Sequence, residues 1–384
     1  MHIAFFSSVV TDGKPTSGFE IANEAIVQGL RSLGHKVSVI GFTVPRQNTP
    51  AHEDVIVVDE LNLENAAVGA MQKLGFVARA LQSGLPISAS KLTAVKREKL
   101  DEAVRGCGEI DRVIFNSYQM AAAFPHLLER PFGFVTHNVE HVSASQNAIS
   151  ANSKIQRWLY ARDARLLNDI ETSLCDKAQY VWALSADDIT TLGLSKEKSA
   201  VLPLVAPFEE NEQAVGEKVF DIGMIGTWSW EPNRVGLQWF LDKIVPNLPK
   251  DFRVGIAGKV PETMVQKSDN VEFLGRVESA SEFLDSVRIV PLISRGGTGV
   301  QLKTIEAFQA GLACVATSSS LRGIESLPPN CAKADEVDEF SSALVDHVQR
   351  SRAQKLPYVN GKQFYDMQFA DMQDALVKGL NRLV

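Results

Sequence analysis

Short apolar runs rich in β-branched and aromatic residues alternate along the chain with segments of helix length, the pattern of parallel sheets flanked by helices. In the first half the runs are HIAFFSS, KVSVIGF, DVIVVD, RVIFNS, FGFVTH and YVWALS; in the second they are VFDIGMIGT, RVGIAGK, VEFLG, RIVPLI, ACVAT and CAKADEV. Equal numbers in the two halves predict two similar α/β domains. Between them PLVAPFEENEQAVGEK, from Pro203 to Lys218, carries prolines and acids without periodicity and reads as a linker. The chain thus divides into an N-terminal domain over 1–204, a linker over 205–218, a C-terminal domain over 219–365 and a closing helix over 366–384. In that helix Phe369, Met372, Leu376 and Leu380 recur at helical spacing, and it can cap the second domain or cross back to the first.

Polar residues gather at one kind of place. Ser7, His137, Ser185, Thr227 and Gly258 fall at or just past the C-terminal ends of predicted strands, where open α/β sheets bind ligands. Turn-forming residues also occur there for structural reasons, but five on one edge of two sheets point to a cleft between domains.

Composition narrows the class without naming it. With 384 residues, 45% hydrophobic and 22% charged, the chain has the size and balance of a soluble two-domain protein. A net charge of -7 argues against a nucleic-acid backbone as the main partner. Cys107, Cys175, Cys314 and Cys331 form no CxxC pair and have no histidine at zinc spacing, which suits reduced thiols in a cytoplasmic protein. The start, MHIAFFSSVVTDGK, lacks a basic leader and reads as a first strand. No window reaches the ~18 to 20 apolar residues of a spanning helix, so any membrane contact would be made from the surface.

The segment RGGTGVQLKTIEAFQAGLACV, Arg295–Val315, invites a P-loop reading. That motif places glycine directly before the lysine, and Leu302 holds that place here. What remains is a strand, the loop SRGGTG, a helix from about Val300 to Ala310, a stop at Gly311 and the strand ACVAT. Gly296, Gly297 and Gly299 permit close backbone approach, and a helix N-terminus supplies amides and about half a positive charge. This is an anion site without a P-loop. Lys303 and Glu306 share a helix face beside it. They suit either a surface ion pair worth about 0.2–0.5 kcal/mol or a phosphate ligand and a ribose-hydroxyl acceptor.

The same residues carry a resemblance. GGTGVQLKTIEAFQAGLACVAT, with VFDIGMIGTWSWEPNRVGLQWFLDKIVPNL, VEFLGRV, SGFEIANEAIVQGLRSLGHKVSVIGF, THNVEH and ALSADD in the family's order, resembles family 4 retaining glycosyltransferases of bacterial polysaccharide and glycolipid type. The resemblance implies the α/β GT-B fold, two facing Rossmann-like domains with an interdomain cleft. It implies a nucleoside diphosphate sugar held mainly by the second domain and an oligosaccharide or lipid-linked acceptor approaching from the first.

Residue by residue, the resemblance implies that Glu306 meets the ribose hydroxyls and Lys303 the diphosphate, with Gly297, Thr298, Gly299 and Val300 lining the loop. Thr298 stands where the family usually has the first of its two motif glutamates, Glu306 being the second, a departure that touches the reading of the donor sugar. Arg276 and Val277 match positions flanking the base, and Gly18 the glycine that brings amides to the diphosphate, although Ser17 replaces its usual glycine partner. Thr227 replaces a frequent arginine, leaving Lys259 or Arg295 to compensate. His137 matches a histidine near the donor sugar; a lone histidine at a strand end is also a common structural hydrogen-bonder. Glu140, Ser185 and Asp187 fall on the acceptor side.

Breaking the anomeric carbon–phosphate bond builds negative charge on the leaving diphosphate. No DxD motif is present to hold a divalent ion, and HNVEH lacks the residue order of HExxH, so neither metal nor cofactor is expected. Lys303 and the loop amides are the expected stabilisers. In the family's front-face mechanism the leaving phosphate deprotonates the acceptor, so Glu140 and Asp187 would orient it.

NSKIQRWLYARDARLLNDIETSL places Lys154, Arg157, Arg162 and Arg165 among Ile155, Trp158, Leu159, Leu166 and Ile170. It reads as a helix lying on anionic lipid or as a core helix whose arginines snorkel. Alternatives to the transferase are a nucleotide-sugar epimerase on the same fold and a noncatalytic sugar-nucleotide-binding protein. A dinucleotide oxidoreductase is excluded, because SSVVTDGKPTSG is not GxGxxG.

Overall fold

The predicted runs are strands in the computed structural model, which describes residues 1–10, 13, 15, 17–45, 52–63, 69–208, 217–228, 231–265 and 269–383. Most of the expected linker, 209–216, lies outside the described residues. The chain forms two units. One comprises Met1–Leu204 with Thr298–Val300 and Phe369–Val384; the other comprises Val205–Gly297 with Gln301–Gln368.

The first unit is built on β1 (His2–Ser7), β2 (Lys36–Thr43), β3 (Val55–Glu60), β4 (Arg112–Asn116), β5 (Phe132–Thr136), β6 (Tyr180–Ala183) and β7 (Ser199–Val201). All pairs are parallel, in the order β3-β2-β1-β4-β5-β6-β7. β7 is the strand that the hydrophobic pattern did not reveal. Its three residues pair with β6 alone, too short for an alternation to show. The inner strands β1, β2, β4, β5 and β6 are buried on both faces, which is why they read as continuous apolar runs. Phe6 stacks on Phe115 at 5.2 Å, and Phe115 meets Phe132 edge-on at 5.3 Å; burying each ring contributes roughly 1.5–3 kcal/mol.

The second unit repeats the plan with β8 (Phe220–Ile225), β9 (Val254–Ala257), β10 (Val271–Gly275), β11 (Val287–Leu292), β12 (Cys314–Ala316) and β13 (Cys331–Lys333), ordered β10-β9-β8-β11-β12-β13. Its separate core gathers Ile222, Leu237, Phe240, Val254, Ile289 and Phe340. In each sheet the strand order reverses once, between β1 and β4 and between β8 and β11. Such reversals leave a crevice at the carboxyl ends of the strands, where doubly wound sheets bind ligands.

The closing helix runs from Gly361 to Leu380, starting earlier than the expected boundary at 366. Residues from Phe369 onward group with the first unit, where Trp182 of β6 donates Nε1–H to Ala375 O at 2.8 Å. All four cysteines are free. Among the described residues no helix is long and apolar enough to cross a membrane.

Candidate functional site

In the second unit, the crevice between β8 and β11 is a pocket of about 160 Å³. Ile225 and Trp228 line it from the end of β8, Leu292 and Ile293 from the end of β11, and Lys303 and Glu306 from the helix Leu302–Gln309. The Trp228 indole is fixed by its Nε1–H, which donates to Ala257 O at 2.7 Å. Lys303 extends its ammonium to 5.7 Å from the centre of that ring and donates to Ile225 O at 3.4 Å. A β-carbon at residue 226 would stand 3.0 Å from Lys303 Nζ, so Gly226 leaves room for the ammonium.

No close Lys303–Glu306 ion pair forms; both side chains line the pocket instead. They reach solvent through its mouth, yet the concave wall removes enough water to matter. Burial pushes the Lys303 ammonium below its usual range, opposed by Glu306, and pushes the Glu306 carboxyl up, opposed by Lys303. An anion would relieve the lysine's lost hydration.

The helix starts at Leu302 rather than near Val300. Its first amides, without intrahelical partners, are therefore those of Leu302 and Lys303, and Thr298–Val300 are loop. Gly297 and Gly299 have φ of 107° and 71°, the left-handed region that glycine enters without a β-carbon clash. The helix ends as expected before Gly311, at φ 67°.

The remaining expected donor ligands are differently placed. Arg295 stacks over Trp239 at 4.5 Å and donates to Asp335 O at 3.1 Å. Thr227 is exposed and accepts from Asn233 Nδ2 at its carbonyl. Arg276 is exposed and Val277 half-buried just past β10. None of the four lines the pocket, and neither does Lys259.

The first unit has a polar chain at its own reversal point. Ser7, ending β1, donates Oγ–H to Val9 O at 2.8 Å. Asn23 donates to Ser7 Oγ at 2.9 Å and Val9 O at 3.1 Å, while its own oxygen accepts from Asn116, at the end of β4. Asn116 thereby presents Oδ1 to His137 Nε2 at 2.7 Å. An amide oxygen can only accept, so Nε2 carries the proton and Nδ1 is left as an acceptor. Phe19 covers the imidazole at 4.7 Å. Burial lowers the His137 pKa to about 4, keeping the ring neutral. Ser117, directly after Asn116, holds φ at 76°, a costly conformation for a residue with a β-carbon.

The rest of HNVEH is held by Glu171. This buried carboxylate accepts from the N–H groups of Glu140 at 2.7 Å and His141 at 3.1 Å and faces His141 Nδ1 at 2.7 Å. It caps the helix Glu140–Ser150, whose N-cap, Val139, supplies no side-chain bond. His137 and His141 thus turn to different partners. Among the described residues no group of three or more His, Cys, Asp or Glu side chains is placed to hold a metal ion. Burial, with Glu171 and Asp188 adding to it, raises the Glu140 pKa to about 7. With the Asn138 amide turned so that Nδ2 donates to Thr298 O at 3.3 Å and His137 O at 3.1 Å, its oxygen faces Glu140, which meets it as a donor when protonated.

Thr298, at the position of the missing carboxylate, pairs its hydroxyl with Ser143 Oγ at 2.8 Å. A β-carbon at Gly299 would collide with the Asn138 side-chain amide and His137 O. Ser185 is spent on a cap, accepting from Asp188 N at 3.2 Å, and Asp187 is exposed. Gly18 opens the helix Gly18–Ser32, whose capping box pairs Ser17 with Glu20. Phe19, Asn23, Asn116, Ser143, Glu171 and Trp228 were not foreseen. Asn116 alone had a visible signal, an amide closing an apolar run.

Two such units, each with the strand order 3-2-1-4-5-6 at its heart, define the class. Solved structures similar to the chain include sucrose-phosphate synthase from Thermosynechococcus elongatus (TM-score 0.61, 14% identity, covering 99% of this chain and 96% of that one). Anabaena HepE in complex with UDP matches with TM-score 0.60 and 14% identity over 100% of both chains. WaaG, a glycosyltransferase involved in lipopolysaccharide biosynthesis, matches with TM-score 0.55 and 12% identity over 100% of this chain and 99% of that one. These likenesses establish the fold, that of the GT-B glycosyltransferases. Within it, residues 219–349 match the family model Glycosyl transferases group 1. A sequence search of the curated proteins found no match.

Proposed function

We propose that the protein transfers a sugar, with retention, from a nucleoside diphosphate sugar to an oligosaccharide or lipid-linked acceptor in the synthesis of a polysaccharide, lipopolysaccharide or glycolipid. The observation that carries this is that Lys303 and Glu306 both line the β8/β11 pocket, with a glycine turn and a helix N-terminus next to them in the chain. A carboxylate accepts two hydroxyls of a ribose, while an ammonium and backbone amides take the diphosphate. Anabaena HepE holds UDP in its structure, which supports testing UDP-sugars first.

As the anomeric bond lengthens, charge grows on the leaving diphosphate. Lys303 stabilises that charge more than the ground state, which is what lowers a barrier. His137, neutral and with Nδ1 unprotonated, accepts a hydroxyl of the donor sugar and fixes its orientation. The acceptor hydroxyl gives its proton to the departing phosphate as it attacks the face that the phosphate leaves. Thr298 offers a hydroxyl where a carboxylate would charge the sugar site, so the donor is read there by neutral contacts.

The test is the anomeric configuration of the product. Proton NMR of a reaction with an α-linked donor is expected to show an α-linked product. A β-linked product would refute retention, and isomerised donor without any transfer would replace the proposal with an epimerase.

A further inference from the structure

An apolar stripe faces outward on the helix Ala70–Ser83. Met71, Leu74, Ala78 and Leu81 fall at alternating spacings of four and three, so they share one face. Among the described residues that face is uncovered: Met71 is 87% exposed and Leu74 68% exposed. The opposite side of the same helix, at Phe76, Val77 and Ala80, is the one that packs inward. A contiguous apolar stripe on the solvent side of a helix marks an interaction surface.

The first turns of the helix Lys154–Lys177 show the same habit, with Ile155 73% and Trp158 53% exposed. The two helices are tied together. Arg162 donates to Ala80 O at 2.8 Å and to Leu85 O at 3.1 Å and pairs with Asp163 at 2.8 Å. Arg162 is therefore a structural tie, whereas Lys154, Arg157 and Arg165 of the same basic set are exposed.

The charge around these faces identifies the partner. The chain carries 46 acidic residues and a net charge of -7, yet neither 65–97 nor 141–162 contains an aspartate or glutamate. Lys73 is exposed beside Leu74, and Lys154 and Arg157 flank Ile155 and Trp158. Apolar side chains set among cations and cleared of acids, with an exposed tryptophan, match a surface that is negative outside and hydrocarbon within. We infer that these two helices dock the protein on an anionic lipid bilayer, Met71, Leu74 and Trp158 entering the acyl boundary and Lys73, Lys154 and Arg157 meeting the headgroups. The inference stands whether or not the chain transfers sugar.

Cosedimentation of the full chain with vesicles tests it, using phosphatidylcholine alone or mixed one to one with phosphatidylglycerol. Binding is expected to the mixed vesicles, falling with added salt and weak on phosphatidylcholine. Each of Lys73→Gln, Lys154→Gln and Arg157→Gln is expected to weaken binding about fivefold, with Lys250→Gln and Lys355→Gln in the other unit without effect. Met71→Ser with Leu74→Ser is expected to abolish binding while the thermal midpoint holds. Because a variant can lose binding by misfolding, the wild type supplies a second readout: brominated lipid should quench a part of its tryptophan emission that Trp158→Phe removes. Equal binding to both vesicle types, binding indifferent to these variants, or an absence of Trp158 quenching would overturn the inference. So would a dimer broken by Met71→Ser with Leu74→Ser in a protein that ignores vesicles, since the stripe would then join two copies.

Discussion

In the proposed transfer Lys303 is the residue on which the chemistry turns. Lys303→Ala is expected to lower kcat by roughly a hundredfold to a thousandfold, the loss typical of one leaving-group stabiliser, about 2.7–4 kcal/mol. Steady-state kinetics with a saturating donor check this. Gly299→Ala would drive a β-carbon into Asn138 and the His137 carbonyl and force a residue with a side chain into φ 71°. The expected result is activity loss together with a thermal midpoint lowered by several degrees, read by calorimetry.

His137 and Glu140 predict opposing pH effects. With a folded pKa of about 4 against 6.5, His137 binds fewer protons folded than unfolded, so its contribution to stability rises with pH from about 4 to 6.5. Glu140, at about 7 against 4.5, binds more protons folded, so its contribution falls from about 4.5 to 7. Each is worth up to about 3 kcal/mol, and they largely cancel across their shared window. Relative to wild type, Glu140→Gln should make urea-unfolding stability climb with pH up to 6.5, and His137→Gln should make it decline up to 7. Parallel profiles for both variants would contradict the assignment.

Elements show where sequence reading succeeds and where it stops. Twelve of the strands were legible, most of them because strands buried on both faces leave unbroken apolar runs, and β7 was not because three edge residues leave no pattern. The glycine turn, Lys303 and Glu306 were legible because they sit within one local segment. The His137 chain was not: Ser7, Asn23 and Asn116 meet only when β1, the helix Gly18–Ser32 and β4 are assembled. Packing against the closing helix was equally hidden. Trp182 fills the space where β-carbons of Gly133 and Gly379 would lie, so Gly379→Ala should unseat that helix from β6. Loss of helical signal at a lower temperature than the wild type, with red-shifted tryptophan emission, is the expected outcome.

For the whole molecule, the central claim is that the β8/β11 pocket of the second unit holds a nucleoside diphosphate sugar through Lys303 and Glu306. The most direct measurement is a calorimetric titration of UDP-, GDP-, ADP- and dTDP-sugars into the wild type, Lys303→Gln and Glu306→Gln. The account predicts that at least one donor binds the wild type, and that it does so tenfold or more weaker in each variant. Wild-type binding that neither variant alters, or no binding by any donor, would contradict it.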